Sequence, residues 1–440
     1  MKRTRKYVMG TALLGLALAT SACGGAGSSK PQESAPSQQG EKGGSAVKLG
    51  ITWAGSQVRH DATLAALDLY SQKNDKVTFE PTYMGFDTYF TKLATLSAAR
   101  NLPDIMQIDT GNLMDYALRD QLADLSEGID TSNINDKLLS AGKVNGTLYG
   151  IPLGANAITF MYNKSALDKL DIQVPEQGFS WDEWVEIARK TQPKLEKGKY
   201  FMGDLSMATG TTESDKYEIY QLAQGKGFIH TPDGKFNIDK ETYVQFNQLF
   251  ADLRQEGVVP PANLTAGHKQ YDPQLDLFMN GSILVQREYS AAYPTFESVH
   301  AGQYAMTRVP SASQTGGFML PSQFFTVSKN TKSAEEAKSF IEWFVNDQEA
   351  GRALMLARGV PVAQPVLEDL QSSLDETAKA QIEIIDRIAP DANPFSSRPK
   401  GFGAWTDEWT KISQAVAFDK MTPEKAYDEL KKKWDEIIKL

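Results

Sequence analysis

Cysteine is almost missing from this sequence; Cys23 is its only one. Without a second thiol the chain has no internal disulfide and no thiolate metal site. The four histidines, His60, His230, His268 and His300, stand far apart, so no metal site is expected. Positive charge is also scarce. Lys and Arg total 46 against 55 Asp and Glu, a formal net charge of -9. Removing residues 1–22, with Lys2, Arg3, Arg5 and Lys6, takes this to -9 - 4, or about -13. That balance argues against nucleic acid as a partner and against tight binding of the folded body to an anionic membrane. Beyond the N-terminal leader no apolar run is long enough to span a bilayer. Familiar catalytic signatures are lacking as well: no G-x-x-x-x-G-K-[ST] loop, no G-x-S-x-G elbow and no H-E-x-x-H helix occurs. Gly401 and Gly403 begin a G-x-G, but Thr406 stands where the dinucleotide pattern needs its last glycine. No cofactor is expected. A pair of well-placed acids would still suffice for a glycosidase, and that alternative stays open.

The leader is what the sequence does have. Four basic residues precede an apolar run from Val8 to Ala19, followed by Thr20, Ser21, Ala22 and Cys23. This reads as an export signal over 1–22, cut ahead of a lipid-carrying Cys23. The bacterial lipobox usually has Leu where Thr20 stands, and the alternative is an ordinary cleaved signal followed by an incidental cysteine. Residues 24–45 are mostly Gly, Ser, Gln, Pro, Lys and Glu and cannot bury enough surface to offset ordering entropy, so 23–45 is expected to be a flexible tether. The expected location is the outer face of the cell membrane.

The chain after the leader, tether included, has about 418 residues, more than one core normally organises, so two lobes are expected. Val47–Trp53 and Val77–Tyr83 read as strands, and Asp104–Ile108 as a third. Helices are expected over Asp61–Lys73 and Asp87–Arg100. This alternation implies α/β layering with a mostly parallel sheet, whose ligands sit beyond the carboxyl ends of strands. Three S-x-x-E capping boxes are expected, at Ser180/Glu183, Ser333/Glu336 and Ser373/Glu376. Thr422-Pro423 should start the last helix, burying Ala426, Leu430, Trp434 and Ile437.

Several segments in order resemble one family. They are Pro103-Asp104-Ile105; Gly146-Thr-Leu-Tyr149-Gly150-Ile-Pro152-Leu-Gly154-Ala-Asn156 with Tyr162-Asn163-Lys164; Leu277-Phe278-Met279-Asn280-Gly281; Ser333 to Phe344 with Gly359 and Pro361; and Thr422-Pro423-Glu424. Together, behind the leader, they resemble the family 1 extracellular solute-binding proteins, the lipid-anchored receptors of carbohydrate ABC importers. The resemblance implies a two-lobed, periplasmic-binding-protein-like fold of type II with strands crossing at a hinge. Residues 46–155 plus 318–388 would form the N-terminal lobe, and 156–317 plus 389–440 the C-terminal lobe. It also implies a monomer that is not an enzyme, with an oligosaccharide ligand, ABC permease subunits and a membrane (through the lipid) as partners.

Sugars need aromatic plates and planar polar groups. The strand ends and crossings offer Trp53, Ser56, Gln57, Arg59, His60, Tyr83, Phe86, Asp109, Thr110, Asn156, Arg287, Glu288, Tyr289, Ser322, Gln323 and Trp405. Arg59, His60 and Arg287 among them suggest a ligand bearing carboxylates, such as a uronate oligosaccharide, because guanidinium pairs bidentately with carboxylate. Arginine also grips neutral sugars. A lipid-anchored carbohydrate-active enzyme and a receptor for a non-sugar solute are the other readings.

Overall fold

The computed structural model describes residues 46–438, except Gln177, Thr211, Thr212 and the side chains of Phe86 and Asp87. The expected leader, Cys23 and the expected tether lie outside the described residues.

Strands β1 (Val47–Ala54), β2 (Val77–Met84) and β3 (Ile105–Ile108) open the chain, with helices Gln57–Lys73 and Phe86–Ala98 between them. A hairpin of β4 (Lys143–Val144) and β5 (Thr147–Leu148) precedes β6 (Ile151–Pro152) and β7 (Ala155–Asn163). Then come β8 (Tyr200–Met202), β9 (Ile283–Tyr289), β10 (Tyr304–Thr307), β11 (Phe318–Pro321), β12 (Phe324–Val327) and β13 (Asn393–Pro394).

The first sheet has the order β2-β1-β3-β12-β6, and the second β13-β11-β7-β9-β8, with β10 also on β7. The fold is a two-lobed α/β architecture. The expected parallel pairing holds for β1 with β2 and β3. It fails in the second sheet, where β7 runs antiparallel to β9, β10 and β11. The reason is the route of the chain: it enters that sheet along β7 and leaves along β11, and the two opposed passes pair directly. Pro81, which cannot donate to a ladder, sits in the edge strand β2.

Two sheet crossings are short, Leu153–Gly154 between β6 and β7 and Ser322–Gln323 between β11 and β12. They are stitched together: the Leu153 N–H donates to the Gln323 carbonyl at 2.9 Å and the Ser322 N–H to the Gly154 carbonyl at 2.8 Å. The two crossings lie at 153–154 and 322–323, against lobe boundaries expected at 155 and 318. The third departs further. Helix Glu376–Ile388 packs on β7, β10 and β11, and Gln381 Nε2 donates to the Ser290 carbonyl at 2.9 Å. The chain therefore changes sides before this helix, within 371–375, rather than at 388. The buried face of Ile382, Ile385 and Ile388 finds its apolar partner on the second sheet.

Of the three capping boxes only Ser180/Glu183 forms, with Ser180 N–H donating to Glu183 at 2.7 Å and Glu183 N–H to Ser180 Oγ at 3.1 Å. At Ser333 the N–H that Glu336 should take donates instead to Thr331 Oγ1 at 3.1 Å. Ser373 spends its hydroxyl on the Leu370 carbonyl, and Asp375 caps the helix by accepting from Ala378. The final helix, Pro423–Ile437, starts at Thr422 as expected; it buries Ala426, Leu430 and Trp434, with Ile437 half-buried. No helix among the described residues is long and apolar enough to cross a membrane.

Helices Phe402–Ala417 and Pro423–Ile437 pack through Trp405, Trp409 and Trp434. His230 sits beside this cluster, 5.9 Å from Phe402 and 6.4 Å from Trp434 between ring centroids. Its Nδ1 lies 2.9 Å from the Thr231 carbonyl and its Nε2 is buried without a partner. Burial, with Arg398 nearby, pushes its pKa down to about 4. The unfolded chain takes up a proton near pH 6.5 that the folded chain refuses, so stability should fall by about 3 kcal/mol as pH drops from ~6.5 to ~4. Melting temperature against pH should show this slope, and His230→Phe should flatten it.

Candidate functional site

The carboxyl ends of β1, β2 and β3 form one rim of the first sheet. On it Trp53 stacks against Tyr83 at 5.1 Å and its indole N–H donates to His60 Nδ1 at 3.1 Å. Trp53 is fully buried and Tyr83 is 40% exposed, so Tyr83 presents the outer ring of this stack. Burial, followed by Arg358, lowers the His60 pKa, which keeps the imidazole neutral as an acceptor for Trp53. Ser56 is the exposed N-cap residue of helix Gln57–Lys73 and makes no side-chain cap; Gln57 donates to Asp61 at 2.7 Å. Arg59 Nε donates to the Ala357 carbonyl at 3.0 Å. Phe86 opens the next helix, with its side chain outside the described set.

A cavity of ≈ 520 Å³ lies between the two sheets. From the first sheet it is lined by Asp109, Thr110, Asn112 and Asp115 after β3. Ser322 and Gln323 contribute from the crossing, and Tyr289 from the end of β9. The far side is the segment from Phe395 through Arg398 and Lys400 to Phe402, Gly403 and Thr406. A backbone bond joins the two sides, Arg398 N–H donating to the Thr110 carbonyl at 3.0 Å. Asp109 Oδ1 accepts from Asn112 N and Nδ2 at 2.9 and 2.8 Å, while burial raises its pKa. Asp115 pairs with Arg119 at 2.9 Å and stands 3.6 Å from Lys400 Nζ.

Arg398 is held in a bidentate pair with buried Glu218, at 2.6 and 2.5 Å, between the rings of Phe395 and Phe402. Beyond it the chain turns at Gly401, whose φ of +86° brings its α-carbon so near Ile437 that a Cβ would stand 3.0 Å from that carbonyl oxygen. This aims the N-terminus of helix Phe402–Ala417 at the cavity, with no side chain capping it. A helix start of this kind offers N–H donors and a partial positive charge.

The expected site residues thus separate. Asp109, Thr110, Tyr289, Ser322 and Gln323 share the cavity, and Trp53, Arg59, His60 and Tyr83 stand together on the neighbouring stretch of rim. Asn156 is spent at its crossing, where Oδ1 accepts from Ser290 Oγ and Ala291 N at 2.8 and 3.0 Å. Three expectations are corrected. Trp405 is fully buried and donates to the Leu430 carbonyl at 3.1 Å; the adjacent glycines free the helix start, not its ring. Arg287 is buried with Nη2 on Asp215 at 2.6 Å, so its guanidinium already has a carboxylate. Glu288, alternating to the other face of β9, accepts from Gln270 and Gln286 at 3.0 and 3.1 Å. Arg59, His60 and Arg287 therefore do not surround one ligand. Sequence reasoning missed Asn112, Arg398, Lys400 and Phe402; the only signal was Gly401-Phe-Gly, read for the wrong aromatic residue.

The sequence profile of the bacterial extracellular solute-binding proteins matches residues 65–384. The multiple sugar-binding protein of Streptococcus mutans is 24% identical over 352 residues, 76% of this chain and 79% of its own. A family 1 extracellular solute-binding protein of Alicyclobacillus acidocaldarius superposes with a TM-score of 0.75 at 26% identity, covering 90% of this chain and 99% of that one. A periplasmic oligogalacturonide-binding protein of Yersinia enterocolitica superposes with a TM-score of 0.74 at 20% identity, covering 89% and 98%.

Breaking a buried ion pair from one side strands the other charge. Arg398→Met should therefore cost about 3–5 kcal/mol in denaturant unfolding, and the double variant with Glu218→Leu should cost less than the single.

Proposed function

This chain belongs to the bacterial extracellular solute-binding proteins, and we propose that it is the carbohydrate receptor of an ABC importer. It captures an oligosaccharide between its lobes and passes it to the permease subunits unaltered. In this reading the protein works as a monomer, exported by the leader and held at the membrane by lipid on Cys23. The observation that carries the reading is the cavity itself: both sheets contribute to its walls, and the Thr110–Arg398 bond closes across it. A ligand that bridges such walls stabilises the shut arrangement over the open one, which is all the selectivity a receptor needs.

The placement of the acids favours binding over hydrolysis. A glycosidase flanks the scissile bond with two carboxyl groups. Here the carboxylates lining the cavity, Asp109 and Asp115, both follow β3, and each is already engaged by a neighbour. They suit hydroxyl recognition.

For the ligand we favour an oligosaccharide containing uronate. Lys400, the uncapped start of helix Phe402–Ala417 and Gln323 all offer donors around one cavity, a set suited to a carboxylate. The Yersinia neighbour binds an oligogalacturonide, which agrees; the S. mutans relative binds multiple sugars.

Calorimetry with digalacturonate and its neutral counterpart galactobiose tests this. We expect binding of both, tighter for the uronate, with the difference shrinking in Lys400→Gln. Asp109→Ala should weaken both by about tenfold or more. Chromatography after long incubation should recover intact sugar. Cleavage products would overturn the receptor reading, and tighter binding of galactobiose would overturn the uronate.

A further inference from the structure

Arg358 is a buried cation without a carboxylate. It is 2% exposed, and no acidic side chain pairs with it among the described residues. Arg59 is a second positive charge close by, and the side-chain hydrogen-bond partners of Arg358 are neutral. Nε and Nη2 donate to Thr63 Oγ1 at 3.2 and 2.7 Å, and Nη1 donates to Gln107 Oε1 at 2.5 Å. The guanidinium lies over the rings of Phe325 and Trp53, at 5.4 and 5.9 Å. Its backbone is also fixed: the Arg358 carbonyl accepts from Ser322 Oγ, and the next residue, Gly359, has a φ of +100°. A Cβ there would stand 3.2 Å from both the Ala155 carbonyl oxygen and the Ser322 Cβ. An arrangement this constrained around an uncompensated charge is costly and calls for a reason.

The reason lies in hydrogen-bond direction. Guanidinium only donates. The fully buried Gln107 must therefore turn its carbonyl oxygen toward Arg358, which points its amide –NH2 the other way. That –NH2 donates to Gln323 Oε1 at 3.3 Å. Gln323 is then obliged to keep its own –NH2 on the remaining side, where it has no protein partner among the described residues and lines the cavity. We propose that Arg358 is a specificity-determining positioning residue: acting through Gln107, it fixes Gln323 as a donor in the cleft, so that the site selects a ligand acceptor there. The proposal rests on the receptor reading above and refines it. It assigns Gln323 to a carboxylate or other acceptor oxygen of the sugar, and it makes an arginine the ligand never touches responsible for that choice.

Gln107→Glu tests the relay. A carboxylate accepts from Arg358 with one oxygen and from the Gln323 –NH2 with the other, so Gln323 turns over and shows the cavity an acceptor. In the ligand-free variant, NMR should show the Gln323 side-chain amide protons moving into a hydrogen bond, with slowed exchange. Affinity for digalacturonate should fall about tenfold. In a Gln323→Leu background the same substitution should leave affinity unchanged. Should Gln107→Glu fail to fold, Arg358→Lys and Arg358→Gln replace it. Lysine, which only donates, should keep the Gln323 amide signals as they are, and glutamine, which can present its carbonyl, should alter them. Unchanged Gln323 amide exchange in Gln107→Glu, or altered exchange in Arg358→Lys, would overturn the relay whatever the sugar data show. An equal loss of affinity with and without Gln323 would overturn it too. If wild-type protein binds neither sugar, the receptor reading falls while the amide readout still decides the relay.

Discussion

The arrangement depends on two short crossings that hydrogen-bond to each other. Leu153–Gly154 and Ser322–Gln323 carry the chain between sheets in opposite directions, and the bonds from Leu153 to Gln323 and from Ser322 to Gly154 make them behave as one strip of backbone. Linkers this short leave little freedom to slide or twist, so these two crossings favour bending about the strip over other relative motions of the sheets. The geometry of the cavity follows. The ends of β3 and β9 are brought to the same gap, and the start of β12 falls between them.

The charges behind the cavity walls are handled in two ways. On the side of the second sheet, Arg398 in the loop after β13 pairs with Glu218, and Arg287 in β9 with Asp215, which also accepts from Tyr289. In such pairs mutual attraction and hydrogen bonds offset desolvation, and the pairing fixes side chains in place, here the Arg398 loop and the Tyr289 ring. Beside the first sheet Arg358, in the loop between helices Gln348–Leu354 and Gln364–Leu370, is given neutral acceptors instead. Paired charges secure the wall; the unpaired one imposes direction on a chain of amides.

Much of the frame could be read from the residues, because periodicity and turn chemistry are local. β1 to β3, the Ser180/Glu183 box and the Thr422-Pro423 helix start needed only neighbours in sequence. What failed required knowledge of distant partners. Ser333 lost its box to Thr331, and Arg287 was taken by Asp215, 72 residues away. Trp405 looked exposed beside its glycines, but Leu430 and Trp434 cover it. Arg398 and Lys400 carry no motif; they matter because the chain turns at Gly401, which only the fold reveals.

Gln323 belongs both to the crossing strip and to the cavity wall. A group on the axis of a hinge barely moves in a hinge motion, whereas Lys400 and the start of helix Phe402–Ala417 lie on the opposite wall of the cavity. In the receptor reading proposed above, a sugar settles against the axis while the jaws are apart and gains the far-wall contacts only as they shut. On that reading capture and retention are divided between different residues: the axis governs how readily a solute is admitted, and the far wall how long it stays.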